Sequence, residues 1–143
     1  MSPVVRRDER GSAIVEFHFL GLLLLVPLVY VLLSVLEVQA AAYGVTQAAR
    51  EAGRLFVATG DEAAARAAAG IALSDQGVDE GSAGVSFACS ARPCYSPGAE
   101  VTVTVTSTVR LPFLPDVLAD AVNARIPVSA THGTVVDRFR DLG

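Results

Sequence analysis

An uninterrupted apolar run from Phe17 to Leu36 constrains this chain more than any other feature of its sequence. The run carries no formal charge and is bounded by Glu16 and Glu37. As a helix it would extend about 30 Å, which is the thickness of the hydrocarbon core of a bilayer. A buried helix of a soluble protein would need a larger core than a chain of 143 residues can supply. We therefore predict a single transmembrane helix.

The arginines around this segment predict its orientation. Arg6, Arg7 and Arg10 precede it, and no Lys or Arg follows until Arg50. Positively charged residues that flank a membrane helix stay on the cytoplasmic side. We therefore expect a single-pass protein of the inner membrane, with its N-terminus in the cytoplasm and its C-terminal part outside.

These predictions divide the chain into three parts: a cytoplasmic leader over residues 1–11, a transmembrane helix over 12–37, and an extracytoplasmic domain over 38–143. The alternative is a cleavable secretory signal that uses Ala40-Ala41-Ala42 as its cleavage site. Against that alternative, the apolar run exceeds the about 7–15 residues of a usual signal. The helical pattern also continues through the supposed site.

Beyond the membrane segment, apolar residues recur at spacings of three and four. This period predicts that the helix continues as an amphipathic stalk that ends near Gly60. Asp61 is a suitable N-cap for a second, short helix that runs to about Ser74. A Gly-rich loop is then expected over residues 75–84.

The second half of the chain alternates between apolar and polar residues, as strands do. We predict strands over 85–88, 100–111 and 126–136, and a short helix over 116–124 after a pair of prolines. In 100–111, valines alternate with threonines, which is typical of an antiparallel strand with one buried and one wet face. Helices followed by strands predict an α+β fold, with the helices on one face of an antiparallel sheet of about three strands.

The two cysteines, Cys89 and Cys94, enclose a loop that contains Pro93. This spacing suits a small disulfide loop in an oxidising compartment, and a pair of free thiols is the alternative. Two cysteines cannot complete a structural zinc site by themselves, and His18 and His132 lie far apart in the sequence. We favour the disulfide.

No set of residues typical of an enzyme or a cofactor site stands out in the sequence. Neither histidine lies near a candidate nucleophile, and no Gly-rich phosphate loop follows a strand. The net charge of −4 gives no electrostatic support for nucleic-acid binding. Asp75, Asp79 and Glu80 do not have the spacing of an EF-hand loop, so a solvated acidic loop is a simpler interpretation than a calcium site.

The entry to the membrane segment reads Arg10-Gly-Ser-Ala-Ile-Val-Glu-Phe17. A charged leader ends at Gly11, and Glu16 then opens the apolar run. A carboxylate there is costly in lipid unless it is paired or reaches the interface. Either Glu16 lies at headgroup level and marks the helix start, or a peptidase cuts after Gly11 and leaves Ser12 as a new ammonium terminus near Glu16.

This motif resembles the opening motif of TadE-like proteins, which are pseudopilins of the tight-adherence (Tad/Flp) pilus machinery. Val26-Pro-Leu28 and Val45-Thr-Gln-Ala-Ala-Arg-Glu-Ala-Gly-Arg54 are similar to further parts of the family pattern, so the resemblance covers residues 10–57. It implies a small, non-enzymatic component of a pilus or secretion apparatus. Its expected partners are the lipid bilayer, other pilin or pseudopilin subunits and the Tad membrane platform.

The resemblance also implies a processing site. A prepilin peptidase would cut between Gly11 and Ser12, with Glu16 and Phe17 in the motif that follows. Glu16 would then seat the mature subunit against its neighbours, its charge compensated by the free amine of Ser12 on an adjacent chain. Ser12 replaces the usual bulky apolar first residue, and the domain is large for a Flp-type major subunit. Both departures favour a minor or assembly-associated pseudopilin.

Two other functions remain open. A membrane-anchored binding module unrelated to pili would need a concave or aromatic-rich site, for which only Tyr95 and Phe113 offer themselves. The other function is a soluble enzyme released by cleavage after Ala42, for which the sequence shows no group of catalytic residues. The small residues between Ala40 and Ala49 allow close approach of neighbouring helices, or they pack on the domain's own sheet.

Overall fold

Two α-helices and three β-strands form the part of the chain that the structure, a computed structural model, describes: residues 10–111 and 125–139. The predicted helix over 116–124 and Phe113 lie outside the described residues. The chain divides into two units, Met1–Val35 and Leu36–Gly143. The elements are α1 (Arg10–Thr59), α2 (Glu62–Ser74), β1 (Gly84–Cys89), β2 (Glu100–Arg110) and β3 (Arg125–Val135).

Helix α1 is continuous over 50 residues, as the sequence predicts, with Pro27 inside it. It begins at Arg10, more than a turn before Glu16, so the carboxylate does not mark the helix start. At the other end, Gly60 has a φ of +73°, and its N–H donates to the Phe56 carbonyl at 2.7 Å. A glycine in this left-handed conformation is a common helix stop, because it costs no Cβ clash.

Helix α2 confirms the prediction for the second helix, including its cap. The Asp61 carboxylate accepts hydrogen bonds from the N–H groups of Ala63 and Ala64 at 2.8 and 3.1 Å. These N–H groups belong to the first turn, where no helical carbonyl is available to them. Asp61 therefore sets where α2 begins.

The connection after α2, predicted as a loop, contains a 3-10 turn over Glu80–Ser82. The Asp79 carboxylate caps this turn by accepting from the Gly81 N–H at 3.0 Å. The Ser82 hydroxyl donates to the Asp79 carbonyl at 2.8 Å. These local side-chain hydrogen bonds, which an Asp and a Ser make readily, order the loop.

The three strands form one antiparallel sheet in the order β1-β2-β3, and each lies where the sequence predicts it, to within a residue. The central strand β2 pairs Val105 with Val85 of β1 and with Ala130 of β3. One face of β2 is buried along its length, and its valines lie on that face. The α+β prediction, with a sheet of three strands among the described residues, is confirmed.

The core lies between the sheet and the two helices and is built largely from alanine and valine. Ala48, Ala52 and Ala65 from the helices are fully buried, as are Val101 and Val103 of β2. Small side chains allow the helices to approach the sheet closely. The threonines of β2 point to the opposite, partly exposed face, as the alternation predicts.

Candidate membrane and assembly surface

The first part of α1 exposes a long apolar surface. It is the one helix among the described residues that is long and apolar enough to cross a membrane, and its most apolar window has a mean hydropathy of 2.8. None of that window is buried in the structure. Soluble monomers rarely expose apolar patches above about 600 Å². The segment fits a single-pass membrane anchor.

The residues of the proposed processing site all lie on α1. Gly11 and Ser12 are in its first turn, and Glu16 follows Ser12 by one further turn. The Phe17 side chain is 75% exposed, and its ring stands edge-on to His18 at 6.1 Å. Within the described part of the chain, no hydrogen bond or ion pair involves the exposed Glu16 carboxylate.

The small residues that follow the apolar run pack mainly on their own domain. Ala41, Ala48 and Ala49 are buried. A Cβ added to Gly44 would stand 3.2 Å from the side chains of Gln76 and Val78. Of the two interpretations that the sequence left open, packing on the chain's own domain is what the structure shows for these residues.

The two cysteines form the predicted disulfide. Their Cα atoms are 5.4 Å apart, and no free cysteine is present in the described ranges. The bond closes the loop between β1 and β2, in which the Arg92–Pro93 peptide is cis. Both cysteines pack against the edge of the hydrophobic core.

Tyr95, which the sequence offered as an aromatic residue for a binding module, has a structural contact instead. Its ring packs edge-on against Phe56 with centroids 6.2 Å apart, and its hydroxyl donates to the Ala58 carbonyl at 3.4 Å. Phe56 also packs against Phe87 of β1, with the rings tilted by 39° and their centroids 5.4 Å apart. This aromatic cluster holds the disulfide loop against the end of α1.

A groove of about 540 Å³ opens in the second unit, at the point where α1 leaves the apolar run. The charged residues that line it in the described part of the chain are Glu37 from α1, Asp79 from the loop after α2, and Arg110 at the end of β2. Sequence reasoning did not bring these three together, because they lie on separate elements. The one sequence feature that could have pointed to this groove is the position of Glu37, which is the first charged residue after the apolar run. The remaining lining residues are Ala40, Ala41, Gln76, Gly77, Val78, Ser82, Thr108 and Val109.

Neither histidine forms part of a metal centre in the described ranges. No group of three or more His, Cys, Asp or Glu side chains is placed there to hold an ion. The His18 Nδ1 lies 2.9 Å from the Ile14 carbonyl of its own helix. His132 faces Gly53 of α1, where an added Cβ would be 3.3 Å from its ring.

No family model, curated protein or solved structure matches this chain. The resemblance carried by residues 10–57 is therefore the basis for a proposal rather than for a family assignment. The geometry of α1 and the chemistry of Glu16 are the further support on which a function can be based.

Proposed function

We propose that this protein is a non-enzymatic minor pseudopilin or assembly component of a Tad/Flp-type pilus or secretion apparatus. The observation that carries the proposal is the continuity of α1. The same helix contains an apolar segment whose most apolar window has no buried residue and a stalk whose alanines pack into an α+β domain. A subunit that assembles through its membrane helix would have such a helix.

The exposed Glu16 carboxylate supports the same proposal. A charged side chain costs about 2.5–3.5 kcal/mol at the bilayer centre, and less near the interface, where the start of a membrane segment lies. That cost falls if a cation from a neighbouring subunit pairs with it. Cleavage after Gly11 would create such a cation, the ammonium group of Ser12, which lies one helical turn before Glu16. On an adjacent chain, that ammonium compensates Glu16 and fixes the stagger between the two helices.

The inner membrane is the location that the proposal requires. Arg6, Arg7 and Arg10 keep the leader in the cytoplasm, where a prepilin peptidase acts on it. The disulfide supports the same orientation, because disulfides persist outside the reducing cytoplasm. Partners of this subunit are then other pilin or pseudopilin subunits, the Tad membrane platform and the peptidase.

The N-terminus of the mature protein tests the proposal. Mass spectrometry of the membrane-extracted protein should find a chain that begins at Ser12. The variant Gly11→Val should keep its leader, because a β-branched residue replaces the glycine at the cut. Gly21→Val is the matched control: an added Cβ there meets nothing within 4 Å, and processing should be normal. A wild-type chain that still begins at Met1 or Ser2 would contradict the proposal.

Crosslinking in the membrane tests the assembly role separately from the cut. A photoreactive residue at Phe17, which is 75% exposed, should capture a pilin-like subunit or a platform protein. The same residue at Asp137, in the exposed C-terminal part of the second unit, should capture fewer such partners. A Phe17 probe that captures only lipid would favour the anchored binding module. Independently, a gene neighbourhood with a secretion ATPase and a prepilin peptidase would support the assembly role.

A further inference from the structure

The groove between α1, the loop after α2 and the end of β2 has a mixed lining that points to a particular kind of ligand. Among the described residues, Arg110 and the acidic Glu37 and Asp79 line it. Alanine and valine residues, Ser82 and Thr108 line it as well. A cation and two acidic residues among apolar ones suit a small zwitterion attached to an apolar body.

The groove also lies at a defined depth along α1. The apolar run ends at Leu36, and the α1 residues of the groove lie between Glu37 and Ala41. Four residues of helix rise about 6 Å. The headgroup layer on each side of a bilayer is about 5–8 Å thick. If α1 spans the membrane, the α1 side of this groove therefore stands at headgroup level.

The shape of the groove is fixed by contacts within the second unit. The Ser82 hydroxyl lies 3.2 Å from the hydroxyl of Ser107, which is buried on β2. Gly44 lets the loop after α2 approach α1, since an added Cβ would stand 3.2 Å from Val78. The Asp79 carboxylate is held as the cap of the 3-10 turn. The charged groups are thus carried on elements that are anchored to the core.

We propose that this groove binds the headgroup of an ethanolamine phospholipid from the bilayer that α1 spans. The inference rests on the membrane anchoring in the proposed function, and it does not depend on processing or on pilus assembly. Arg110 binds the phosphate, because a guanidinium offers paired N–H donors to phosphate oxygens. Glu37 and Asp79 accept hydrogen bonds from the primary ammonium.

The charges select this headgroup over the common alternatives. An anionic glycerol headgroup would offer its phosphate to Arg110 but would leave two carboxylates facing a net negative ligand. A choline headgroup has the same net charge as ethanolamine, yet its quaternary ammonium has no N–H to donate to Glu37 or Asp79. The preference expected is therefore ethanolamine over both choline and glycerol.

Lipid retention by the full-length protein tests the proposal. Membranes are first washed with alkaline carbonate to establish that the chain is anchored. The purified protein in mild detergent is then given equal amounts of phosphatidylethanolamine, phosphatidylcholine and phosphatidylglycerol, and native mass spectrometry counts the bound lipids. We expect about tenfold preferential retention of phosphatidylethanolamine, which corresponds to one hydrogen-bonded charge pair.

Variants separate the two halves of the site. Arg110→Gln should lower retention of all three lipids about tenfold. The double variant Glu37→Gln, Asp79→Asn should keep phosphate binding and lose the preference for ethanolamine; asparagine retains the acceptor oxygen that caps the 3-10 turn. Arg92→Gln in the disulfide loop and Asp75→Asn are the matched controls, and both should bind as the wild type does. Unchanged circular dichroism shows that each variant is folded.

The outcomes that overturn the proposal are distinct. Equal retention of the three lipids by the wild type, or a preference for phosphatidylglycerol, excludes an ethanolamine headgroup site. Release of the chain by carbonate removes the membrane anchor and the lipid site together. An unprocessed N-terminus together with a preserved preference for phosphatidylethanolamine would contradict the pseudopilin proposal and support the lipid site.

Discussion

The Tyr95 ring lies directly against Gly60, so closely that a Cβ built on the glycine would stand 2.8 Å from the Tyr95 Cδ1. Gly60 ends α1 in a left-handed conformation, with a φ of +73°. Tyr95 follows Cys94, which closes the disulfide loop. The pair therefore joins the end of the long helix to the loop between β1 and β2. Two physical reasons, backbone conformation and space, require glycine at this position.

Gly60→Ala should destabilise the domain by about 2–3 kcal/mol, because it adds a clash to the cost of a left-handed alanine. Gly77→Ala is the matched control: Gly77 has a φ of +70°, but an added Cβ meets nothing within 4 Å. That variant should lose only about 1 kcal/mol. Thermal unfolding of the full chain in detergent micelles measures both, and equal losses would show that the Tyr95 contact is unimportant.

Arg66→Ala should cost about 1 kcal/mol of stability, because Arg66 joins α2 to β1. Its guanidinium lies 5.2 Å from the Phe87 ring centroid, donates to the Val85 carbonyl and pairs with Glu62 at 2.6 Å. Arg54→Ala is the control, since Arg54 makes only a local surface pair with Glu51 at 2.9 Å. That pair contributes about 0.5 kcal/mol or less.

The same unfolding measurement compares the two arginine variants under identical conditions. Both replace an arginine with alanine on a helix, so the change in helix propensity is the same for each. A larger loss for Arg66→Ala isolates the bridge to the sheet. Equal losses would mean that the contacts with Val85 and Phe87 add nothing beyond a surface ion pair.

Ala48→Leu should destabilise the domain by about 1–3 kcal/mol, because Ala48 of α1 is fully buried in the core of the second unit. Ala42→Leu, on the exposed side of the same helix, should leave the unfolding temperature nearly unchanged. Guanidinium unfolding of the full chain in micelles checks both substitutions. If Ala48→Leu were as stable as the wild type, the stalk would not pack into the core as closely as the structure shows.

Replacing both cysteines with serine should lower stability by about 2 kcal/mol, which is the loop-closure contribution of so short a loop. In intact cells, Cys89 and Cys94 should resist a membrane-permeant thiol reagent until a reductant is added, because the proposed orientation places their disulfide outside the reducing cytoplasm. Mass spectrometry of the protein measures how far the two cysteines are alkylated with and without the reductant. Rapid labelling without reductant would contradict the expected orientation of the chain.

Much of the fold follows from local sequence signals. The uncharged run from Phe17 to Leu36 determines a helix long enough for a bilayer, and Asp61 determines where α2 begins. The alternation in β2 assigns its valines to the core and its threonines to the other face. These signals suffice because caps and hydrophobic periods act within a few residues of each other.

The sequence did not predict the contacts between distant segments. The spacing of the small residues after the membrane segment fits a neighbouring helix as well as the domain's own sheet, and only the structure shows Ala48 and Ala49 buried in the domain. The sequence alone does not indicate what Tyr95 contacts, and the fold places its ring against Gly60. Glu37 and Arg110 are likewise far apart in the sequence, and only the fold places them in one groove.

The sequence by itself thus determined the helices, the strands and the apolar segment of this protein, because each depends on neighbouring residues and on the solvent they face. The tertiary structure alone decided which faces are covered and which charges share a groove. Those outcomes depend on strand pairing, such as Val105 with Val85 and Ala130, and on how α1 packs on the sheet. Packing of this kind joins residues that no local pattern connects.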